Sequence, residues 1–266
     1  MSSILKYSLL LFAVLARVQA SPHALLPRAS RIVDCGDNEA KVKTALADAA
    51  ALANIAFDMD TSSTAFTHYL RGEDGAMAKA LWSAVASNND PTNPSYSFSV
   101  RCAKQCTGGE ANSLAVTDAA PQDGDALREM KLCPLFFTDA RTKNNLDSKK
   151  YDGDKRGSWC QKGQKFRDFE TAGHTILHEM THLDALGEDA GMPARTQDDF
   201  TSHGTDDVAY PGDYVSAARE FLSDWVDDPD SMDPNALKPY QNAENIAAAA
   251  TEWWFIKSCG FTDISL

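Results

Sequence analysis

The stretch His178-Glu179-Met180-Thr181-His182 constrains this chain more than any other, because its two histidines are four residues apart with a glutamate after the first. On a helix, side chains at i and i+4 lie one above the other, with Cβ atoms about 5–6 Å apart, so both imidazoles can reach one ion. Glu179 then stands where a carboxylate can take a proton from a water at that ion, the role this spacing has in zinc hydrolases. Ile176, Leu177, Met180, Leu183 and Leu186 supply an apolar stripe, which predicts a helix from about Asp168 to Leu186, with Gly187 placed to stop it. Three fixed positions also occur by chance on surface helices, so the neighbourhood has to decide.

A catalytic zinc site usually has three protein ligands and one open position. His174, Glu220 and an aspartate further along the chain compete for the third place. His174 begins a third turn of the same helix and is about 12 Å along the axis from His182 at 1.5 Å per residue, too far for all three imidazoles to converge. It reads as a packed or supporting histidine. Glu220, in Glu220-Phe-Leu-Ser-Asp224, has the spacing found in thermolysin-like gluzincins and lies on a predicted helix.

The third candidate lies in Gly204-Thr205-Asp206-Asp207-Val208-Ala209-Tyr210. Taken with the histidine helix, this stretch resembles the aspzincins, the deuterolysin and peptidyl-Lys metalloendopeptidase group. Their pattern is the zinc helix followed by Gly-Thr-x-Asp-x-x-Tyr-Gly, and only the last position departs from it, where Pro211 precedes Gly212. The resemblance implies that Asp207 completes a zinc site with His178 and His182, that Glu179 is the general base, and that Tyr210 hydrogen-bonds the developing oxyanion. It implies an α+β zincin-like domain, mostly helical with a small antiparallel sheet and an active-site helix. Lys131-Leu-Cys-Pro-Leu-Phe-Phe137 and Asn242-Ala-Glu-Asn245 resemble two further family segments, so the likeness runs from about residue 130 onward. Lysine-specific members carry acidic groups near the last segment. Here Glu244 is present and Ala247 follows one turn later, which leaves lysine preference open.

The chemistry is compatible with the implied set, since a carboxylate oxygen suits zinc beside two imidazoles and a phenol suits an oxyanion. A glycine at 204 permits an unusual turn before the aspartate. The separation of His182 from Asp207 predicts an inserted loop near the cleft.

Residues 1–20 carry Lys6, an apolar run from Ser8 to Ala16 and a Val18-Gln19-Ala20 cleavage site, the pattern of a secretory signal peptide. Residues 21–34 read as a linker or short pro-segment and residues 35–266 as one catalytic domain. Six cysteines, at 35, 102, 106, 133, 160 and 259, predict three disulfides of unspecified pairing in a secreted chain. The formal net charge is −13 and becomes −15 once Lys6 and Arg17 leave with the signal, which argues against nucleic acid or an anionic membrane as partner.

Helical periodicity marks Asn38 to Asp58, Ala76 to Ser87, Asp213 to Val226 and Tyr240 to Lys257. Alternation marks strands at Tyr96 to Cys102 and Leu114 to Val116, with another expected at Leu132 to Phe137. Gly187 to Gly204 reads as a polar loop. The expectation is a secreted, monomeric zinc endopeptidase acting on proteins or peptides. Its alternatives are a gluzincin-type site using Glu220 and a secreted binding protein that keeps the fold without turnover.

Overall fold

The structure, a computed structural model, describes residues 31–86, 97–123, 127–148, 160, 165–197, 200–208, 213–233 and 235–266. The expected signal peptide lies outside them, as does Tyr210. Residues 31–33, expected within a linker, instead form the first strand, β1 (Arg31–Val33).

From β1 the chain runs through α1 (Glu39–Phe57), the single turn α2 (Thr64–Thr67) and α3 (Gly75–Ala86) before returning as β2 (Phe98–Cys102). β3 (Ala115–Thr117) and β4 (Arg128–Leu132) complete a sheet of order β1-β2-β4-β3. This sheet is mixed, and in this it differs from the antiparallel sheet expected. β1 pairs parallel with β2, and β2 parallel with β4, while only β3 and β4 run antiparallel. The three-helix crossover between β1 and β2 is what a parallel pair requires.

The strand expected at Leu132 to Phe137 is displaced upstream. Pro134 has no N–H to give a ladder, and Pro134–Phe137 is a 3-10 turn. In β4, Met130 and Leu132 are buried, whereas Glu129 and Lys131 turn outward to Arg101 and Glu110.

After the sheet come α4 (Ala172–Thr181), α5 (Asp184–Asp189), a hairpin of β5 (Arg195–Gln197) and β6 (Phe200–Ser202), then α6 (Tyr214–Asp227) and α7 (Ala243–Cys259). The predicted polar loop at 187–204 thus contains a two-stranded antiparallel hairpin. α7 is the central helix: residues 243–252 are all buried, and its alanines at 247–250 let α1 and α4 approach closely. Its buried polar residues, Glu244, Asn245, Thr251 and Glu252, each have a partner, as burial demands. Three disulfides form, Cys35–Cys102, Cys106–Cys133 and Cys160–Cys259. The first closes a separation of 67 residues and joins the ends of β1 and β2, which the chain-entropy account values at about 4 kcal/mol. Among the described residues no helix is long and apolar enough to cross a membrane.

α1 meets α4 at Gly173, where an added Cβ would come within 2.4 Å of the Asp48 Cβ. Asp48 is therefore buried, and its carboxylate accepts from Leu146 N at 2.9 Å. Burial pushes its pKa up to about 6. A carboxyl raised above its unfolded value near 3.9 contributes stability that is complete at acid pH and is lost as pH rises through 6. Asp48→Asn keeps the acceptor and removes the charge. It should be close to neutral at pH 4 and stabilise by about 2 kcal/mol at pH 8, which urea unfolding at the two pH values measures.

Candidate metal centre and cleft

α4 places the two histidines, and it is no surface helix: all ten of its residues are buried. Burying His174, His178 and Glu179 is costly unless each finds a partner. Thr171 opens the helix by accepting from His174 N at 3.2 Å. The helix ends earlier than its apolar stripe predicts, because Leu183 adopts an extended ψ of 123° and the chain turns into α5. His182 is the C-cap and keeps helical dihedrals of −72° and −20°, so its i, i+4 relation to His178 survives the break.

Gly187, expected to stop the helix, lies inside α5, where the backbone of His203 passes so close that a Cβ would fall 2.0 Å from its carbonyl oxygen. Gly204 likewise presses on the His182 carbonyl, with a Cβ placed 2.1 Å away. It is absent from the glycines at positive φ, so close approach explains this glycine better than the unusual turn expected.

That approach brings the 204–207 stretch onto the end of α4. Thr205 N donates to Thr181 O at 2.9 Å, and the Thr181 and Thr205 hydroxyls meet at 2.8 Å. Asp207 follows. His178 Nε2 and His182 Nε2 are 3.3 Å apart, and Asp207 Oδ1 lies 3.2 Å from the first and 3.6 Å from the second.

Zinc binds nitrogen and oxygen at about 2.0–2.2 Å, and tetrahedral ligands at that radius are separated by about 3.3–3.5 Å. The triangle therefore has the dimensions of three corners of a zinc tetrahedron. The remaining ring nitrogens agree. His178 Nδ1 contacts Glu244 Oε2 at 2.9 Å and His182 Nδ1 contacts the Thr205 carbonyl at 2.9 Å, both acceptors. Each Nδ1 thus has an acceptor for its proton, and each Nε2 is the nitrogen that faces the other corners of the triangle.

The electrostatics also suit a cation. Burial pushes the His178 imidazole down, but Asp207 and Glu244 outweigh it and raise its pKa well above the ordinary value. Asp207 resists burial because His178 and His182 hold its carboxyl well below the usual range. Glu244, wholly buried, is held at about 2 against burial by His174 and His178. His174 is not a corner of the triangle: its Nδ1 meets Thr251 Oγ1 at 2.9 Å, and its Nε2 lies 3.1 Å from Glu244 Oε1 without hydrogen-bond alignment. Glu220 is exposed on α6 and does not line the cleft.

Glu179 faces a cleft of about 630 Å³ that opens onto the triangle. Its Oε2 accepts from Thr117 Oγ1 on β3 at 2.7 Å, so a strand fixes the carboxylate from across the cleft. Residues 113–117 form that wall, and β3 is an edge strand. Tyr214 stands opposite, edge-on to the His178 ring at 5.8 Å and more than half exposed. The floor includes Arg141 and Glu170, the latter pushed up to about 7 chiefly by burial.

Sequence reading missed Thr117 and Tyr214, whose neighbours reveal nothing of the cleft, and the clamp of Glu244 on His178. The Asn242-Ala-Glu-Asn245 segment was the available signal for the last. Its Asn242 Oδ1 accepts from Val208 N at 3.2 Å, directly beyond Asp207.

A solved structure described as a zinc peptidase from Grifola frondosa is similar over 80% of this chain and 96% of that one, at 18% identity and a TM-score of 0.44. No family model and no curated protein matches the chain.

Proposed function

We propose that the chain is a secreted zinc endopeptidase that hydrolyses peptide bonds in proteins. The observation that carries this reading is the triangle of His178, His182 and Asp207, with zinc-sized edges and both Nδ1 protons engaged. His178, His182 and Asp207 would hold the ion. Zinc, when bound, lowers the pKa of a coordinated water toward neutrality and polarises a carbonyl.

Glu179 does the proton work. Its carboxylate takes a proton from the attacking water and passes it to the leaving amine, and the Thr117 hydroxyl keeps it aimed at the cleft. Among the described residues no strand pairs with the outer edge of β3, and such an edge suits an extended peptide, as strand addition requires. Tyr210 is proposed as the oxyanion donor on the strength of the Gly-Thr-x-Asp-x-x-Tyr pattern. Three disulfides fit a protein that folds in an oxidising compartment, which supports secretion.

The decisive test is digestion of a denatured protein and of a proteome-derived peptide mixture, with and without a chelator, followed by sequencing of the new termini. Internal cleavage that a chelator stops and added zinc restores is expected. Zinc binding with no new termini would identify a protein that holds the metal without turnover.

A further inference from the structure

One side chain of the β5–β6 hairpin reaches back to the stretch that precedes Asp207. Arg195, the first residue of β5 and partly buried, donates from Nη1 to Asp206 Oδ2 at 2.8 Å and from Nη2 to the Gly204 carbonyl at 2.9 Å. Those acceptors bracket Thr205, whose carbonyl fixes His182 Nδ1, and they directly precede Asp207.

The opposite side of the same stretch is held by main chain. Asp206 N donates to Gln241 O and Ala243 N to Asp206 O, each at 2.9 Å. The stretch is thus held by the start of α7, by Thr181 at the end of α4 and by one guanidinium. The hairpin that carries this guanidinium is itself anchored near Ser202, which is buried and accepts from Gly204 N at 3.1 Å.

We propose that Arg195 is a positioning residue for the metal triangle, and that through it the β5–β6 hairpin sets the affinity of the site for zinc. The proposal rests on the reading of His178, His182 and Asp207 as zinc ligands. Two neighbouring carboxylates, Asp206 and Asp207, lie on one short stretch, and only the second faces the imidazoles. Pairing Asp206 with Arg195 neutralises it and ties it to β5, which leaves Asp207 to face the ion. The planar fork of an arginine reaches two acceptors at fixed separation, whereas a lysine ammonium is a single point charge.

The test uses the full-length protein with R195A, R195K and D206N. Zinc affinity is measured by competition with a chromophoric chelator, ligand geometry by the visible absorption of the cobalt-loaded protein, and folding by thermal unfolding of the metal-free form. R195A should weaken zinc binding by about 10- to 100-fold and alter the cobalt spectrum, as loss of a ligand's supporting contact does elsewhere. R195K should restore only part of the affinity, and D206N should fall between R195A and the parent. The metal-free melting temperature should move far less than the affinity.

If R195A does not fold, D206N carries the test alone, since it removes the ion pair and leaves the Gly204 contact in place. Parental zinc affinity and an unchanged cobalt spectrum in R195A, or in D206N where R195A fails to fold, overturn the proposal. A parent protein that binds no zinc overturns the zinc reading itself, so the two failures are distinguishable.

Discussion

Glu179→Gln is expected to keep zinc affinity at the parental level while lowering kcat/KM for peptide cleavage by about 10³-fold, within the range that loss of a positioned general base costs. The amide retains an oxygen to accept from Thr117 Oγ1, now at 2.7 Å from the carboxylate, so the side chain keeps its place against β3. What it loses is the capacity to take a proton. Initial rates on a quenched-fluorescence peptide, alongside metal content after gel filtration, separate the two effects. Undiminished cleavage by this variant would remove Glu179 from the proton pathway.

The second large effect is expected at Asp207. Its oxygen forms two edges of the triangle, at 3.2 and 3.6 Å from the two imidazole nitrogens, so on the proposed zinc reading Asp207→Ala leaves two ligands where three stood. Zinc affinity should fall by more than about 100-fold, beyond the range seen when only a supporting contact is lost, with activity falling in step. Glu220→Gln on the exposed face of α6 should change neither quantity. Equilibrium dialysis against graded free zinc measures the affinity of each variant, and initial rates on the quenched-fluorescence peptide its activity. Zinc retained by Asp207→Ala but lost by Glu220→Gln would reassign the third ligand.

Local pattern carried far in this chain. The periodicity over Val42, Leu46, Ala49 and Ala53 predicted α1 nearly to its ends, and alternation through Phe98, Val100 and Cys102 predicted β2. The spacing of His178 and His182 predicted their convergence, which the structure shows at 3.3 Å. Asp207 was legible only through a resemblance, because no local rule says that a loop 25 positions beyond a helix end will fold back onto it.

The misses share that origin. β4 is written in Arg, Glu, Met, Lys and Leu, residues that favour helices, and only burial between β2 and β3 makes it a strand. The direction of β1 relative to β2 depends on how three helices cross the sheet. The apolar stripe through Leu183 and Leu186 continues beyond α4 because α5 buries the same residues after the chain has turned. Gly204 matters for what passes beside it, and that neighbour, the His182 carbonyl, is set by tertiary packing.

The order of the triangle residues and their supports along the chain has a consequence for biosynthesis. The histidines precede Asp207, but the carboxylate that orients His178 and the backbone that pins Asp206 belong to residues 241–244, at the start of the last helix. Domains made on the ribosome acquire structure from the N-terminus onward. A nascent or truncated chain ending before residue 241 holds the histidines without the groups that aim them. Assembly of the triangle is thereby deferred until the final helix has packed against α1 and α4.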